Sequence, residues 1–567
     1  MIIGIDLGTT NSAVAIWRDG EPVLVPNAIG DLLTPSAVSM TEKGEVIVGM
    51  AARERQSTHP RDTVTAFKRY IGTQQSVTLG KRKFDSEELS ALVLRSLKAD
   101  AEAFTGEKVT GAVITVPAYF NDRQRKATRR AGEIAGIEVK RLVNEPTAAA
   151  LAFGIQTREQ EPFLVFDLGG GTFDVSIVEV FEGVVEVRAS SGDNRLGGED
   201  FNEKVVEVAR PKLDPGKKLD KADPIVLQEL LRAAAERTRR KLTEADEAEF
   251  AVTWNGETFS TPVTAVAFED ACAPLLQRLR DPVLRSLRDS NIRVETLSEI
   301  VLVGGSTRMP IVRRAITRMF GRFPDTTVHP DHAVALGAAV QAALLSKDSA
   351  LEEVRLTDVC PFTLGVEHAE PDGRGGYRTG LFSPIIDRNT AIPASRVGYY
   401  RTLADNQREI RFGIYQGEAR EVAGNVKLGE LRVQVPPKPA GHAGAECRFT
   451  YDSSGLLEVD VTVSDTGTTR NLVIMDEADP LTEAQIAERR AAIAGLKVHP
   501  REESENAAVL ARANRCFENF LGPNRDQIGH WIGAFEAALE TQDPRTIKES
   551  RDALVAALDA VEGERFL

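Results

Sequence analysis

The chain contains two segments with one shared pattern, an Asp that begins a glycine-rich turn between two apolar stretches. They are DLGTTNSAVAI from Asp6 to Ile16 and DLGGGTFDVSIVE from Asp167 to Glu179. A strand-like stretch before each turn and a β-branched stretch after it predict a hairpin. Glycines leave backbone N–H groups open to an anion, and the neighbouring carboxylate can hold hydrated Mg²⁺ against phosphates. Two such turns predict a cleft that binds a nucleotide from both sides, which a single turn would not.

Length and charge limit the classes of protein that need to be considered. A chain of 567 residues predicts three or four folded units. Its net charge of -14 argues against nucleic acid as the main partner. No leader-like segment opens the chain, and its longest apolar stretch, Ala333 to Val340, is far shorter than the about 20 residues of a membrane span. We therefore expect a cytoplasmic protein that does not enter a membrane.

The four cysteines have no spacing that indicates a metal site. They are Cys272, Cys360, Cys447 and Cys516, with no CxxC pair and no His at ligand spacing. We expect buried free thiols rather than disulfides or metal ligands.

The pattern of apolar and polar residues changes three times along the chain. Up to about Leu345, apolar strand-like runs alternate with helical stretches, as in α/β layers. Ser346 to Asp358 is charged and is predicted to be a linker. From Val359 to about Met475, alternating strands with turn signals predict an all-β unit, as at Ile410–Phe412–Ile414 and Val459–Val461–Val463. After Pro480, Thr482 and Gln485 form a capping-box start of a helix that carries Ile486, Ile493 and Leu496.

Several polar residues have both a functional and an ordinary interpretation. Gly304 and Gly305 lead into a helix near Pro310 and suit a phosphate or sugar, with Arg308 to cover a base, yet a tight strand-to-helix turn also explains them. Residues 236, 240 and 243 share a helix face that is ordinarily solvated. Nothing local marks Lys68 as catalytic, and Glu145 also suits a helix N-terminus as a capping charge.

Motifs in a fixed order resolve these alternatives. DLGTTNS, VPAYFND, NEPTAAA, DLGGGTFD, LGGEDF and VGGSTRMP together resemble the ATPase domain of the seventy-kilodalton heat-shock chaperones, the DnaK-like family. TDVCPFTLGVE, NTAIP, DNQ and YQGE extend the resemblance through the peptide-binding domain to about residue 475. Within the family the chain is most similar to the short HscC type, because the helical segment from Pro480 is short and lacks an acidic tail.

The resemblance implies an α/β actin-like ATPase domain, duplicated in two lobes, followed by an all-β sandwich and a short α-helical lid. The implied limits are 1–350 for the ATPase domain, 351–358 for the linker, 359–476 for the peptide-binding sandwich and 477–567 for the lid. Family linkers are almost entirely Leu and Val, whereas this one contains Arg355 and Thr357. Less apolar surface is expected to weaken linker docking and interdomain coupling.

The resemblance also assigns roles in the ATPase site. Asp6 and Asp167 match the Mg²⁺ water shell, Asp174 matches a K⁺ site, and Lys68 matches the lysine beside the γ-phosphate. Glu145, Asp167 and Thr172 match groups that orient the attacking water. The implied nucleotide-binding residues are Gly8, Thr9, Thr10, Asn11, Gly169, Gly170, Gly171, Thr172, Gly197, Gly198, Glu236, Arg239, Arg240, Thr243, Gly304, Gly305, Ser306, Arg308 and Asp331, with Arg239 and Thr243 in place of the usual Lys and Ser.

Further positions correspond to the relay and to the peptide pocket. Pro117, Arg125, Arg141 and Asp358 match residues that relay the nucleotide state between domains. The implied pocket residues are Val366, Ala369, Tyr400, Leu403, Ile410 and Phe412. A sandwich core explains Ile410 and Phe412 equally well from the sequence alone. The arch pair is Ala369 and Leu403, so the bulky partner has changed sides relative to the Met and Ala of the bacterial type.

The implied function is an ATP-dependent chaperone that uses ATP/ADP, Mg²⁺ and K⁺ and hydrolyses ATP slowly. Unfolded or extended polypeptides and a J-domain co-chaperone are the implied partners, and the need for a nucleotide-exchange factor is left open. A regulator of one native client, a sugar kinase and an actin-like filament protein are the alternatives. His329-Pro330-Asp331 spells the J-domain tripeptide, but it falls in the predicted adenosine loop and we interpret it as coincidence.

Overall fold

In the computed structural model, the described residues are 1–56, 58–154, 161–181, 184–325, 329–346, 355–372, 376–452, 456–474, 504–520 and 522–563. The chain divides into two units, Met1–Phe362 and Thr363–Leu567, which are treated separately below.

The first unit repeats one sheet arrangement, and both predicted hairpins are present. The strands of the first copy are β1 (Ile2–Asp6), β2 (Asn11–Arg18), β3 (Glu21–Leu24), β4 (Thr34–Pro35), β10 (Gly111–Val116) and β11 (Val139–Asn144). They lie in the order β11-β10-β1-β2-β3, with β4 beside β2. The strands of the second copy are β12 (Phe163–Leu168), β13 (Phe173–Phe181), β14 (Val184–Asp193) and β17 (Ile300–Val303), in the order β17-β12-β13-β14. In both copies an antiparallel meander has a parallel strand beside its first strand.

Two alanine-rich helices, α4 (Glu145–Gly154) and α9 (Ala333–Leu345), pack against each other. A Cβ on Gly337 would lie 1.7 Å from the carbonyl oxygen of Ala148, and a Cβ on Gly4 would lie 2.2 Å from the nitrogen of Ala339. Only small residues allow backbones to approach so closely, which explains the composition of both helices. Helix α4 begins at Glu145, as the sequence predicted.

The remaining elements form the outer parts of the two lobes. The first lobe, which contains β1–β4, β10 and β11, also has β5 (Ala37–Met40), β6 (Val46–Val48), α1 (Met50–Glu54), β7 (Thr63–Thr65), β8 (Ser76–Leu79), β9 (Arg82–Asp85), α2 (Ser86–Thr105) and α3 (Asp122–Ile134). The second lobe, which contains β12–β14 and β17, also has α5 (Gly198–Leu213), α6 (Pro224–Lys241), β15 (Glu247–Trp254), β16 (Glu257–Thr264), α7 (Ala265–Ser290) and α8 (Pro310–Phe320). Helix α6 ends at Lys241, so the prediction that Thr243 continues its helical face is wrong. Thr243 lies in the turn that follows.

Part of the predicted linker is a strand of the first unit. Strand β18 (Arg355–Val359) runs parallel to β14, with Leu356 opposite Val185 and Thr357 opposite Glu186. Strand pairing uses backbone groups, so the polar residues of the linker do not prevent it. The pairing explains why the first unit extends to Phe362. The predicted domain limits and the strength of the coupling remain predictions.

The second unit contains the predicted all-β region, which forms two antiparallel sheets. One has β20 (Tyr377–Ile386), β19 (Leu364–Pro371), β23 (Glu409–Gln416) and β24 (Val426–Gln434), in that spatial order. The other has β22 (Ala394–Arg401), β25 (Gly444–Tyr451), β26 (Leu457–Val463) and β27 (Thr469–Ile474); a short strand, β21 (Ala391–Ile392), precedes β22. The alternating residues of β23 and β26 point their apolar members inward, as predicted.

Three helices follow: α10 (Ser504–Asn519), α11 (Pro523–Thr541) and α12 (Pro544–Gly563). Phe535, Leu539, Leu554 and Leu558 form much of their shared core. The turn between α11 and α12 contacts β22, because the amide of Gln542 accepts a hydrogen bond from Val397 N (3.2 Å) and donates one to Val397 O (3.4 Å). The predicted helix start at Thr482 and Gln485, with Ile486, Ile493 and Leu496, lies outside the described residues.

The thiol prediction is confirmed, since all four cysteines are buried thiols that form no disulfide with another described residue. Within the described ranges, every helix is too short or too polar to cross a lipid bilayer.

Candidate functional site

The turns of the two hairpins meet. A Cβ on Gly170 would lie 2.0 Å from Thr10 Oγ1, and a Cβ on Gly171 would lie 2.9 Å from Thr9 Oγ1. Glycine is therefore required at both positions for the turns to approach. Ser12 Oγ accepts a hydrogen bond from Gly8 N (3.1 Å), which fixes the first turn ahead of Asn11. The predicted phosphate-binding residues of the two copies therefore lie next to each other in the fold.

Two further glycine-containing segments hold the second turn. Gly198 N donates a hydrogen bond to Gly169 O (3.0 Å), and Ser306 Oγ donates one to the same carbonyl (2.8 Å). A Cβ on Gly197 would lie 2.5 Å from Gly171 N. The predicted residues at 197–198 and 304–306 therefore lie next to the phosphate turns.

Gly304 owes its identity to backbone geometry. Its φ of 81° lies in the left-handed region, and a Cβ there would lie 2.4 Å from the carbonyl oxygen of Leu168. Its N–H donates a hydrogen bond to Pro330 O (2.8 Å). The strand-to-helix turn predicted here is present, and it joins the segment that contains Asp331.

Three aspartates lie at the ends of the hairpin strands. Thr115 Oγ1 donates a hydrogen bond to Asp6 Oδ1 (2.9 Å), and Tyr119 N donates one to Asp174 Oδ1 (3.1 Å). Asp167 and Asp174 are opposite each other in the second hairpin, and both are buried. Among the described residues, Asp167 Oδ2 is buried with no hydrogen-bond partner.

The local electrostatics favour a cation. Burial, and then the charge of Glu145, raises the pKa of Asp6 to about 7 and that of Asp174 to about 8, and the same two causes raise the pKa of Asp167 well above its ordinary value. A bound cation would offset the repulsion between these aspartates and Glu145. No three Asp, Glu, His or Cys side chains of the described residues are placed to enclose a bare ion. Carboxylate oxygens suit a hydrated Mg²⁺ that also contacts phosphate oxygens.

Lys68 and Glu145 form a buried ion pair. Lys68 Nζ donates a hydrogen bond to Glu145 Oε1 (2.8 Å), and the lysine side chain is 3% exposed. Lys68 lies in a 3₁₀ turn, Phe67–Tyr70, and its ammonium is 5.4 Å from the centre of the Phe120 ring. The positive charge of Lys68 opposes the rise in pKa that burial causes at all three aspartates. The ion pair therefore belongs to the same site. Thr172 is buried immediately before β13.

The predicted adenosine residues form two neighbouring groups. Glu236 is paired with Arg240 (2.8 Å) and with Arg53, and although burial raises the pKa of Glu236, these arginines lower it below its ordinary value. Arg239 Nε donates a hydrogen bond to Asn202 Oδ1 (2.8 Å). A small cavity between α6, α7 and α8 is lined in part by Arg239, Thr243, Phe268, Met309 and Ile311. In the second group, Arg308 donates a hydrogen bond to Asp331. A Cβ on Gly305 would lie 2.8 Å from Asp331 Oδ1.

The two lobes are joined across the cleft by polar side chains. Besides the Arg53–Glu236 pair, the contacts are Gln56 Nε2 to Glu229 Oε2 (2.9 Å), Arg61 to Asp223 (2.8 Å) and Arg69 to Asp200 (3.0 Å). The sequence analysis predicted Glu236 but missed Arg53 and the residues of the other three contacts, because single polar or charged residues on separate helices and turns carry no local signal. It also missed Thr115 and Tyr119, although Tyr119 lies within the VPAYFND motif.

Two relay positions, Arg125 and Arg141, act on a third, Asp358. Arg125 Nη2 donates a hydrogen bond to Asn144 Oδ1 (2.6 Å), and Asn144 Nδ2 donates one to Asp358 Oδ2 (2.9 Å). Burial raises the pKa of Asp358, while Arg125 and Arg141 oppose the rise. Pro117 O accepts a hydrogen bond from Phe120 N (3.1 Å), in the turn whose carbonyl oxygens also bind Arg125.

The predicted peptide-binding residues lie in the β-sheet sandwich. Val366, Ile410 and Phe412 are buried, and Tyr400 packs edge-on against Phe412 with ring centres 5.5 Å apart. The Tyr400 hydroxyl is 3.0 Å from that of Ser383. Leu403 is 38% exposed and follows β22, whereas Ala369 is partly buried in β19. A pocket floor and a sandwich core remain equally compatible with Ile410 and Phe412.

Comparison with known families provides independent information. A family model described as Hsp70 protein matches residues 2–564.

Proposed function

Since the chain belongs to the Hsp70 family of chaperones, we propose that it hydrolyses ATP slowly and couples its nucleotide state to binding and release of extended apolar peptides. Members of this family are ATPases that bind ATP or ADP with Mg²⁺. The supporting observation is the meeting of two glycine-rich turns beside three acidic side chains and the buried Lys68–Glu145 pair.

The turns would bind the phosphates. Their backbone N–H groups and the hydroxyls of Thr9 and Thr10 supply donors at the point where the two lobes meet. Bound Mg²⁺ would neutralise phosphate charge, and Asp6 and Asp167 are the residues that would hold its water shell. Asp167 Oδ2, which has no hydrogen-bond partner among the described residues, is available for this purpose.

Lys68 would stabilise the charge that develops on the transferred phosphoryl group, because its ammonium is buried and held by Glu145. Glu145, Asp167 and Thr172 would orient the attacking water by hydrogen bonds. Glu145 already accepts a hydrogen bond from Lys68, so one of its oxygens is engaged before water binds. This pairing is a physical reason to expect slow hydrolysis in the isolated protein.

Coupling would pass through Arg125, Asn144 and Asp358 to the linker strand, and from there to a peptide pocket that includes Tyr400, Leu403 and Phe412. A nucleotide can shift the equilibrium between two conformations only as far as its affinities for them differ. The coupling is reciprocal, so peptide binding must change nucleotide affinity by the same factor.

Finer assignments belong to the same proposal. We assign K⁺ to the Asp174 site, a J-domain protein and unfolded polypeptides as partners, the cytoplasm as the location, stress response as the context, and the HscC type as the nearest subclass. The arch, with Leu403 as its bulky member, favours brief peptide retention. Family membership favours the chaperone role over a kinase or a filament protein.

Single-turnover ATP hydrolysis tests the proposal. Lys68→Ala is expected to bind ATP yet hydrolyse it at least about a hundredfold more slowly, since removal of one buried donor commonly costs a factor of that order. Lys83→Ala, at an exposed position, is the matched control. Because the substitution leaves Glu145 unpaired, thermal unfolding with nucleotide bound must show that the variant is folded.

Wild-type rates in a folded Lys68→Ala protein would remove Lys68 from the mechanism. Release of a labelled apolar peptide, measured in the wild type with ADP and then ATP, tests the coupling. Release that is unchanged by ATP would contradict it.

A further inference from the structure

A histidine pair adjoins the proposed adenosine site. His329 Nε2 lies 3.2 Å from Arg308 Nη2, and the same Arg308 nitrogen donates a hydrogen bond to Asp331. The rings of His329 and His332 are stacked, with centres 3.6 Å apart and planes 21° apart. One arginine is therefore held between a carboxylate and an imidazole.

The protonation state of His329 follows from this contact. An arginine side chain has only donors and stays charged, so the imidazole nitrogen that faces it must accept. Nε2 can accept only in the neutral ring, with its proton on Nδ1. A protonated His329 would lose this hydrogen bond and would repel Arg308.

His332 is arranged to keep the stacked ring in place. It precedes the first turn of α9, where the helix dipole disfavours a positive charge. Burial lowers the pKa of His332, as do the charges of His329 and Arg308, while Asp331 acts in the opposite direction. Among the described residues, these are the charged groups that act on the ring. His332 thus stays neutral to lower pH than an ordinary histidine and supports the His329 ring by stacking.

The segment is tied to the phosphate site. Pro330 O accepts the hydrogen bond from Gly304 N, and Ala333 N donates one to His329 O (3.2 Å). The position of His329 is consequently coupled to the turn that contains Arg308.

We propose that His329 is a positioning residue that holds the Arg308 guanidinium in place for nucleotide, so that protonation of His329 weakens nucleotide binding. The proposal rests on the proposed function, because it assumes that Arg308 contacts the base. Histidines ordinarily titrate near pH 6.5. The nucleotide-bound state favours the neutral ring, which can accept from Arg308, so affinity is expected to be highest where the ring is neutral and to fall as the pH is lowered.

The dissociation constant for ADP with Mg²⁺, measured on the full chain between pH 8 and pH 5.5, tests this. Wild type is expected to lose about tenfold more affinity over this range than His329→Asn, because a hydrogen bond to a charged group is worth about that factor. The Asn amide oxygen accepts from Arg308 without titrating. Protonation of ADP itself affects both proteins equally and cancels in the comparison.

Two further variants keep the test specific. His442→Asn, an exposed histidine of the second unit, should behave as wild type. In an Arg308→Ala background, His329→Asn should no longer change the pH profile. Thermal unfolding at both pH values shows that each protein is folded.

Each outcome has a distinct meaning. Parallel pH profiles for wild type and His329→Asn, or a difference that survives Arg308→Ala, would overturn the role of His329 while leaving the ATPase proposal intact. Absence of ADP binding by wild type at pH 8 would instead overturn the proposed function.

Discussion

Asp167 shows how position changes the chemistry of a side chain. It is 5% exposed, faces Asp174 across the hairpin and has an oxygen without a hydrogen-bond partner among the described residues. Burial and the charge of Glu145 raise its pKa. A carboxylate in such surroundings costs stability and is retained where it binds something.

Asp167→Asn is expected to stabilise the metal-free protein while it impairs hydrolysis. The amide removes a buried negative charge at nearly constant volume, so the melting temperature in EDTA should rise by about 2 °C. Single-turnover hydrolysis with Mg²⁺ should fall at least about a hundredfold, since a charge-stabilising group is lost. Asp281→Asn, on an exposed position of α7, should change neither quantity. A lower melting temperature for Asp167→Asn would show that the carboxylate has a structural role instead.

At the scale of elements, two segments are held by few but specific contacts. Strand β18 pairs with β14 through backbone groups, and Asp358 accepts hydrogen bonds from Asn144 and, at 3.4 Å, from Thr147. The turn between α11 and α12 contacts the edge strand β22 through the two hydrogen bonds of Gln542 described above. Elements attached in this way open at low cost, which suits a switch.

Asp358→Ala is expected to detach the linker strand. It removes the acceptor for Asn144 and Thr147, so amide hydrogen exchange in 355–359 should become at least about tenfold faster, since two hydrogen bonds are lost. ATP should then accelerate peptide release less than in wild type. Thr357→Ala is the matched control, because that residue pairs with Glu186 through its backbone. Unchanged exchange in Asp358→Ala would mean that the backbone pairing alone holds the strand.

Gln542→Ala is expected to loosen the helical segment from β22. Two hydrogen bonds to Val397 disappear, so exchange at Val397 should become about tenfold faster, and peptide should be released faster as well. The substitution at exposed Gln527 to Ala, on α11, is the control. If the Val397 amide exchanges at the wild-type rate in Gln542→Ala, the contact does not hold the helices in solution.

At the scale of the first unit, the nucleotide cleft is bounded by two lobes that must separate for nucleotide to leave. Two of the contacts between the lobes differ in burial: Arg53 and Glu236 are 20% and 14% exposed, whereas Arg61 and Asp223 are 66% and 34% exposed. Exposed pairs contribute little because water screens them, and partly buried pairs contribute more.

We therefore expect Arg53→Ala to accelerate ADP release about tenfold and Arg61→Ala by no more than about threefold. Stopped-flow displacement of a fluorescent ADP measures both rates, with exposed Arg18→Ala as the control. Raising the salt concentration should speed release from wild type more than from Arg53→Ala. Equal rates for all three variants would show that the lobes are not held by these charges.

Local sequence determined much of this protein. The two hairpins, the turn at Gly304, the start of α4 at Glu145 and the alternating strands of the second unit were predicted correctly, because glycine turns, helix starts and strand periodicity depend on neighbouring residues. The family motifs also indicated most residues that surround the two turns. Thr243 was placed on a helix that in fact ends at Lys241, since helix ends depend on tertiary contacts.

Only the tertiary structure decided which distant groups meet. Lys68 pairs with Glu145 across 77 positions, Arg53 pairs with Glu236, and Arg308 reaches His329. The local sequence around these residues gave no sign of a special role. The family motifs assigned roles to most of them but did not predict which side chains they contact. Their pairings, and the raised pKa values of the buried aspartates, exist only after the two lobes fold together, because burial and Coulomb interactions depend on distance in space and not on distance along the chain.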